Sequence, residues 1–322
     1  MLSPPQARAR ATVLAVEVST LGVACGTCLA LALAAMLRPG ALALAPGGFV
    51  IAATSAWLGF GGAWLSLRLR LGGQLDGGAG SSARAVTAAA GLLAAAATAS
   101  AFAAPGWVGS DGTAPLTSDN LRALGVVAIL GWATLALVAR RQLDALDGSA
   151  TPLADLLQPP AQGLLSGFGV VLLVGLIGGV ISAELTYELG AAMAMAALWA
   201  LASTARILRG VRRALRAQQA EGGSLPSVAS AWRQVALTTL LGLFVPTLVI
   251  IADLASARLN GVVIAGFALI VVGHPLRYGL AVCRLQDPTL RRGGAPGAEP
   301  GSTAAGGGKL HGWRDGPWTD EP

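Results

Sequence analysis

The stretch VVGHPLRYGLAVCR, Val271 to Arg284, sets a histidine, a proline, an arginine and a tyrosine within five residues of an otherwise apolar run. His274, Arg277 and Tyr278 are spaced i, i+3, i+4, so on a helix they share one face. Pro275 has no N–H, which frees the carbonyl of Val271 and bends a helix there. A donor-rich patch beside an open acceptor can ligate a haem or clamp the polar head of a quinone or phospholipid. It can also be a helix end whose arginine snorkels to the interface.

Glu17 is the acid most able to join such chemistry. It lies about two turns into the first apolar run, where a carboxylate is costly unless protonated or paired. It suits a proton relay or a hydrogen-bond partner for a polar ligand head. Snorkelling is equally open, since only ~9 Å of helix separates it from Ala11. Glu184 and Glu188, four residues apart around Tyr187, and Asp253 read as hydrated helix ends. Cys25-Gly-Thr-Cys28 has the spacing of a redox dithiol, but a reactive thiol needs a helix N-terminus or a nearby cation. This pair lies deep in the first run with no basic neighbour in sequence, so small apolar packing is expected of it.

Ligand supply narrows the options. A membrane b-type haem takes two axial side chains, usually His, and the chain has 2 His, of which His311 is in the tail. No haem is expected, and zinc or di-iron sites fail for the same shortage. What remains is a clamp for a quinone carbonyl or phospholipid head, or a snorkelling helix end.

The elements that must position these residues are membrane spans. The chain has 322 residues, 54% hydrophobic and 12% charged, against roughly 25% charged in a soluble domain. Apolar runs of eighteen or more residues recur from Ala11 to about Val282, each long enough to cross ~30 Å of hydrocarbon. The expected fold is all-α: a polytopic integral membrane protein with eight transmembrane helices in two four-helix groups. The spans are Thr12–Met36, Gly48–Leu67, Ala85–Ala104, Leu121–Ala139, Leu164–Ser182, Gly190–Leu208, Val235–Leu254 and Gly261–Val282. The first is too long for a signal-peptide core, so it is expected to be retained. A transmembrane domain over residues 1–285 has halves 11–139 and 164–285 joined by an acidic, proline-bearing loop, 140–163; a disordered cytoplasmic tail, 286–322, follows.

Nineteen of the 22 basic residues then fall on the side that carries both termini, leaving Arg38, Arg122 and Arg258 opposite. By the positive-inside rule the N- and C-termini are expected to be cytoplasmic. The net charge of +6 therefore calls for no nucleic-acid partner; topology and anionic membrane lipids account for it. Arg209, Arg213 and Arg216 can share one helical face, as a partner or lipid contact or a solvated helix end. Glycines at 59, 61 and 62 and at 175, 178 and 179 permit close helix approach.

Two stretches carry a family resemblance: DLLQPPAQGLLSGFGVVLLVGLIGG, and the last pair WRQVALTTLLGLFVPTLVII and GFALIVVGHPLRYGLAV. With eight spans and both termini on one side, the chain resembles the membrane-anchor subunits of dimethyl-sulfoxide-reductase-type molybdenum enzymes, within the wider polysulfide-reductase group. Gly273, Arg277 and Tyr278 match the terminal motif. The family's histidine–leucine–glycine stretch after the second span reads Arg68-Leu69-Arg70-Leu71-Gly72 here, and His274 replaces its terminal acid. The resemblance implies an anchor that binds menaquinone or ubiquinone and exchanges electrons with an iron–sulfur subunit and, beyond it, a molybdopterin catalytic subunit. On this expectation the chain itself is a non-catalytic electron-transfer subunit without metal, and Glu17, His274, Arg277 and Tyr278 are its quinone-binding residues. A small-molecule transporter with two four-span halves is the alternative class; a thiol oxidoreductase using Cys25 and Cys28 is a third.

Overall fold

The computed structural model describes residues 4–37, 45–72, 80–103, 118–145, 158–177, 183–220 and 226–256, and in the last span 267, 268, 270, 271, 273, 274 and 277. Most of the acidic loop, the tail, Pro275 and Tyr278 lie outside the described residues. The described elements are helices: α1 (Pro4–Leu37), α2 (Ala45–Leu71), α3 (Gly80–Ala103), α4 (Ser118–Ala145), α5 (Gln158–Ile177) and α6 (Ala183–Ala220). A seventh span follows as α7 (Pro226–Thr239), a π-helical turn (Leu240–Phe244) and α8 (Val245–Ala255).

Among the described residues, 7 helices are long and apolar enough to cross a membrane. They coincide with the first seven expected spans to within a few residues at most ends; the sixth begins earlier, at Ala183. Most of 261–282 lies outside the described residues, but its seven described positions are helical. Large apolar side chains face outward around the bundle; on α4, Val126, Ile129 and Trp132 form an exposed stripe at three-residue spacing. Such a perimeter suits lipid rather than water. Hydroxyls within the spans are satisfied without water, Ser19, Thr27 and Thr134 each donating to the carbonyl four residues back.

Helix α1 is the axis of the bundle. Gly163 on α5 lies so close to it that an added methyl group would stand 3.1 Å from the Gly22 Cα and 2.9 Å from its carbonyl oxygen. Gly26 and Gly167 meet backbone to backbone in the same way, and the order 22-to-163, 26-to-167 makes α1 and α5 parallel. On α2, Gly59 faces Thr20 and Ala24 while Gly62 faces Thr20 and Glu17; on α4, Gly131 lies against Cys25. Lipid tails are as apolar as leucine, so helix association in a membrane relies on this close packing. The halves that the sequence divides at residue 140–163 are thus joined, and the most extensive interhelical contact among the described helices is α1 with α5. Among the described residues, the larger of two buried clusters runs from Ala24 in α1 to Val271.

Helix α6 has 38 residues, roughly 57 Å of helix, while a bilayer core is crossed by about 20. Its Arg206–Ala220 end therefore continues beyond the span as helix, which makes the basic stretch around Arg209 an extension of a span rather than a loop.

The glycine contacts predict a contrast. Gly167→Leu should destabilise the chain by about 3 kcal/mol, since overpacking here meets backbone and not a movable side chain. Gly61→Ala, where nothing lies within 4 Å, should leave the melting temperature of the purified protein unchanged.

Candidate functional site

Besides the thiols of Cys25 and Cys28, four titratable side chains are buried among the described residues: Glu17, Arg70, Arg141 and His274. They are held by two different parts of the bundle.

The first is built on α1, α2 and α4. The closeness of α2 at Gly62 walls Glu17 in, and the carboxylate is 1% exposed as a residue. It therefore does not snorkel. Its partner is Arg141, near the C-terminal end of α4, whose Nη1 pairs with Glu17 Oε1. Arg141 also donates from Nη2 to Ser66 Oγ on α2 at 2.9 Å. One guanidinium thus ties three helices together. Arg70 lies one turn beyond Ser66 on the same face of α2 and is buried as well. The pair is charge-balanced, and among the described residues its one hydrogen bond to a further group is that from Arg141 to Ser66. Arg141 has the sequence signature of a topology-setting arginine. The one signal for its inward role is that Glu17, an acid within a span, requires a cation from elsewhere.

The second part is built on α5, the seventh span and the helical positions between Phe267 and Arg277. His274 is 0% exposed, and its Nδ1 occupies space beside Gly242, where an added Cβ would stand 2.8 Å away. Gly242 is in the π-helical turn, and Pro246 follows within the first turn of α8. A proline ring clashes with the carbonyl four residues back, here that of Gly242. Widening the preceding turn, with Val245 N–H donating to Leu240 O, relieves this. The imidazole packs on the resulting flat patch. Ser166 Oγ on α5 donates at 3.0 Å to the carbonyl of Gln162 one turn back and stands 3.5 Å from the carbonyl of Val271, the acceptor that Pro275 leaves without an amide partner.

Not all of the expected patch assembles around His274. Arg277 is exposed and folds back along its own helix, donating from Nε to Gly273 O at 3.2 Å and from Nη2 to Ile270 O at 2.8 Å. Gly273 leaves the room for it. Tyr278 lies outside the described residues. Glu17 takes Arg141 as its partner and is not brought to this patch.

Gln162 is a residue the sequence reading missed. It is 6% exposed and lies one turn before Ser166 on α5. Its signal is a false loop: Pro159-Pro160 reads as the end of a linker, yet prolines are favoured in the first turn of a helix, and α5 starts at Gln158. Cys25 and Cys28 are buried in the α1 core as free thiols, Cys25 against Gly131. Their surroundings are apolar, without the cation that a reactive thiolate needs. Among the described residues, no three His, Cys, Asp or Glu side chains gather closely enough to hold a metal ion.

No protein-family model matches the chain, and no curated protein matches it.

Deleting one member of a buried ion pair costs about 3–5 kcal/mol, whereas replacing both by apolar groups of similar size is nearly neutral. Glu17→Met and Arg141→Met should each lower the melting temperature sharply, and the double variant should recover most of the loss. Additive losses in the double variant would show that the two side chains are not coupled.

Proposed function

We propose that the chain is the membrane-anchor subunit of an oxidoreductase complex, which holds the head group of a quinol and serves an iron–sulfur partner and a molybdopterin catalytic subunit. The observation that carries this reading is the buried imidazole of His274, seated on Gly242 of the π-helical turn. A neutral imidazole offers one donor and one acceptor. A quinone carbonyl needs a donor and a quinol hydroxyl finds an acceptor, while the apolar ring and tail suit the apolar surroundings, so the residues fit the group. When bound, a quinol supplies two electrons and two protons, the electrons passing to the iron–sulfur partner. His274 would orient the head and hold a proton at its imidazole. Arg277 and Tyr278 follow one turn on, toward the cytoplasmic end of the same span. Glu17, engaged by Arg141, is left out of the head-group site in this reading.

The reading includes an eighth span over 261–282 and both termini on the cytoplasmic side of a bacterial plasma membrane, supported by the basic-residue asymmetry. A reporter enzyme fused after Gly301 should be active only in its cytoplasmic form; activity on the outer side would defeat this orientation.

A second reading, transport of a small solute, is favoured by one observation. The π-helical turn interrupts the seventh span beside a buried histidine, and transporter sites form at interrupted helices. The two readings separate by binding. His274→Ala in the full chain should weaken binding of menadione about tenfold, the worth of one hydrogen bond. Unchanged affinity would remove His274 from a quinone site.

A further inference from the structure

Gln162 carries the one buried side-chain amide whose Nε2 has no hydrogen-bond partner among the described residues. Burial of a donor without an acceptor costs folding free energy, so such groups are rare and call for an explanation. Three features give one here. Gln162 and Ser166 are four residues apart on α5 and share a face, and Ser166 reaches the carbonyl of Val271 in the last span. The neighbouring face, with Gly163 and Gly167, is the one pressed on α1, so Gln162 lies beside that contact on the face from which Ser166 approaches Val271. Short linkers join α5, α6 and the seventh span, so successive spans alternate in direction and the last span runs antiparallel to α5. One turn back along α5 from Ser166, and three residues on from Val271, both lead toward the same end of the bundle. Gln162 and His274 therefore stand at about one level, ~5–6 Å below the Ser166–Val271 contact.

We propose that Gln162 is the second polar ligand of the quinone site, its side-chain amide held at the level of His274 with the Nε2 donor free for the ligand. The assignment rests on the reading of the chain as a quinol-binding subunit and names what the site selects. An amide carries both a donor and an acceptor, as a neutral imidazole does. The two oxygens of a quinone are acceptors; after uptake of two electrons and two protons they are hydroxyls that also donate. Groups that can do both hold the ligand in both redox states. Arginine only donates and an ionised carboxylate only accepts, so neither can both donate to the carbonyl and accept from the hydroxyl. The buried charges of the bundle are instead gathered around Glu17 and Arg141, on the α2–α4 side of α1.

The test uses the full chain in lipid nanodiscs with menadione isotopically labelled at its carbonyl carbons. In the wild type, hydrogen bonding should lower the stretching frequency of the bound carbonyls, and Gln162→Met should return one of them toward its free value and weaken binding about tenfold. The same variant should melt no lower than the wild type without menadione, because it removes an unpartnered amide; a merely structural glutamine would behave in the opposite way. If Gln162→Met does not accumulate, Gln162→Asn, one methylene shorter, withdraws the amide and is read on the same bands. Wild-type affinity and unmoved carbonyl bands in these variants would overturn the assignment while leaving the His274 site standing. If the wild type itself binds no menadione, the quinol reading falls, and the assignment of Gln162 with it.

Discussion

The approach of the α1 backbone to its neighbours, through Gly22, Gly26, Gly59, Gly62, Gly131, Gly163 and Gly167, sets the distances from which the other contacts follow. Dispersion between individual atoms is small and falls off steeply, so helices in lipid gain stability by bringing many atoms to van der Waals distance at once. Glycine on both sides of the α1–α5 crossing does this with main-chain atoms. Placing α1 at the axis has a consequence for its side chains, because a residue that would have faced lipid or the interface is enclosed on several sides. Glu17 is such a residue. Its depth along the helix is modest, yet the closeness of α2 at Gly62 removes the route by which a carboxylate could reach water.

Enclosing Glu17 then dictates the role of Arg141. A carboxylate without a counter-charge in this environment would cost far more than the bundle gains from any single helix contact. The arginine must come from a helix that ends at the same side, and α4 does. With the further bond to Ser66, the guanidinium fixes the axial register of α1, α2 and α4 against each other. Buried ion pairs are weak sources of net stability, and their best-attested use is to specify one arrangement over others. In a bundle packed through small residues, whose contacts tolerate sliding, a register pin of this kind has an evident purpose.

What could be read from the sequence divides along physical lines. Span positions and their ends depend on local composition, and seven of them follow from hydropathy alone. The opening of the Val271 carbonyl by Pro275 is also local chemistry, and Ser166 meets that carbonyl. Partner choice is not local. Glu17 was poised between a relay and a snorkel because depth along a helix says nothing of which neighbour is on which side. Arg141 looked like one more cytoplasmic arginine for the same reason. Gln162 was assigned to a loop because two prolines precede it, although proline costs nothing in a first turn whose amides have no intrahelical partner. The widened turn at Leu240–Phe244 follows from Pro246, but that it would receive an imidazole depended on the facing span.

The polar side chains of the interior are thus of two kinds, and the difference is argued by charge. Around α1 the groups are charged, and Glu17 and Arg141 are matched to each other as an ion pair. Around α5 and the helical positions between Phe267 and Arg277 they are amide, hydroxyl and imidazole, beside a seventh span whose regular hydrogen bonding is interrupted by the π-helical turn before Pro246. Interrupted helices expose carbonyls that regular ones consume, and neutral side chains meet them without the desolvation cost of an ion. A hydrophobic ligand with a small polar head asks for that combination: apolar walls, a few convergent neutral groups, and a backbone that leaves acceptors open. A charged solute asks for the opposite. The separation of the two kinds by α1 is therefore what makes the α5 side of the bundle the place to look for a ligand and the α2–α4 side a structural joint.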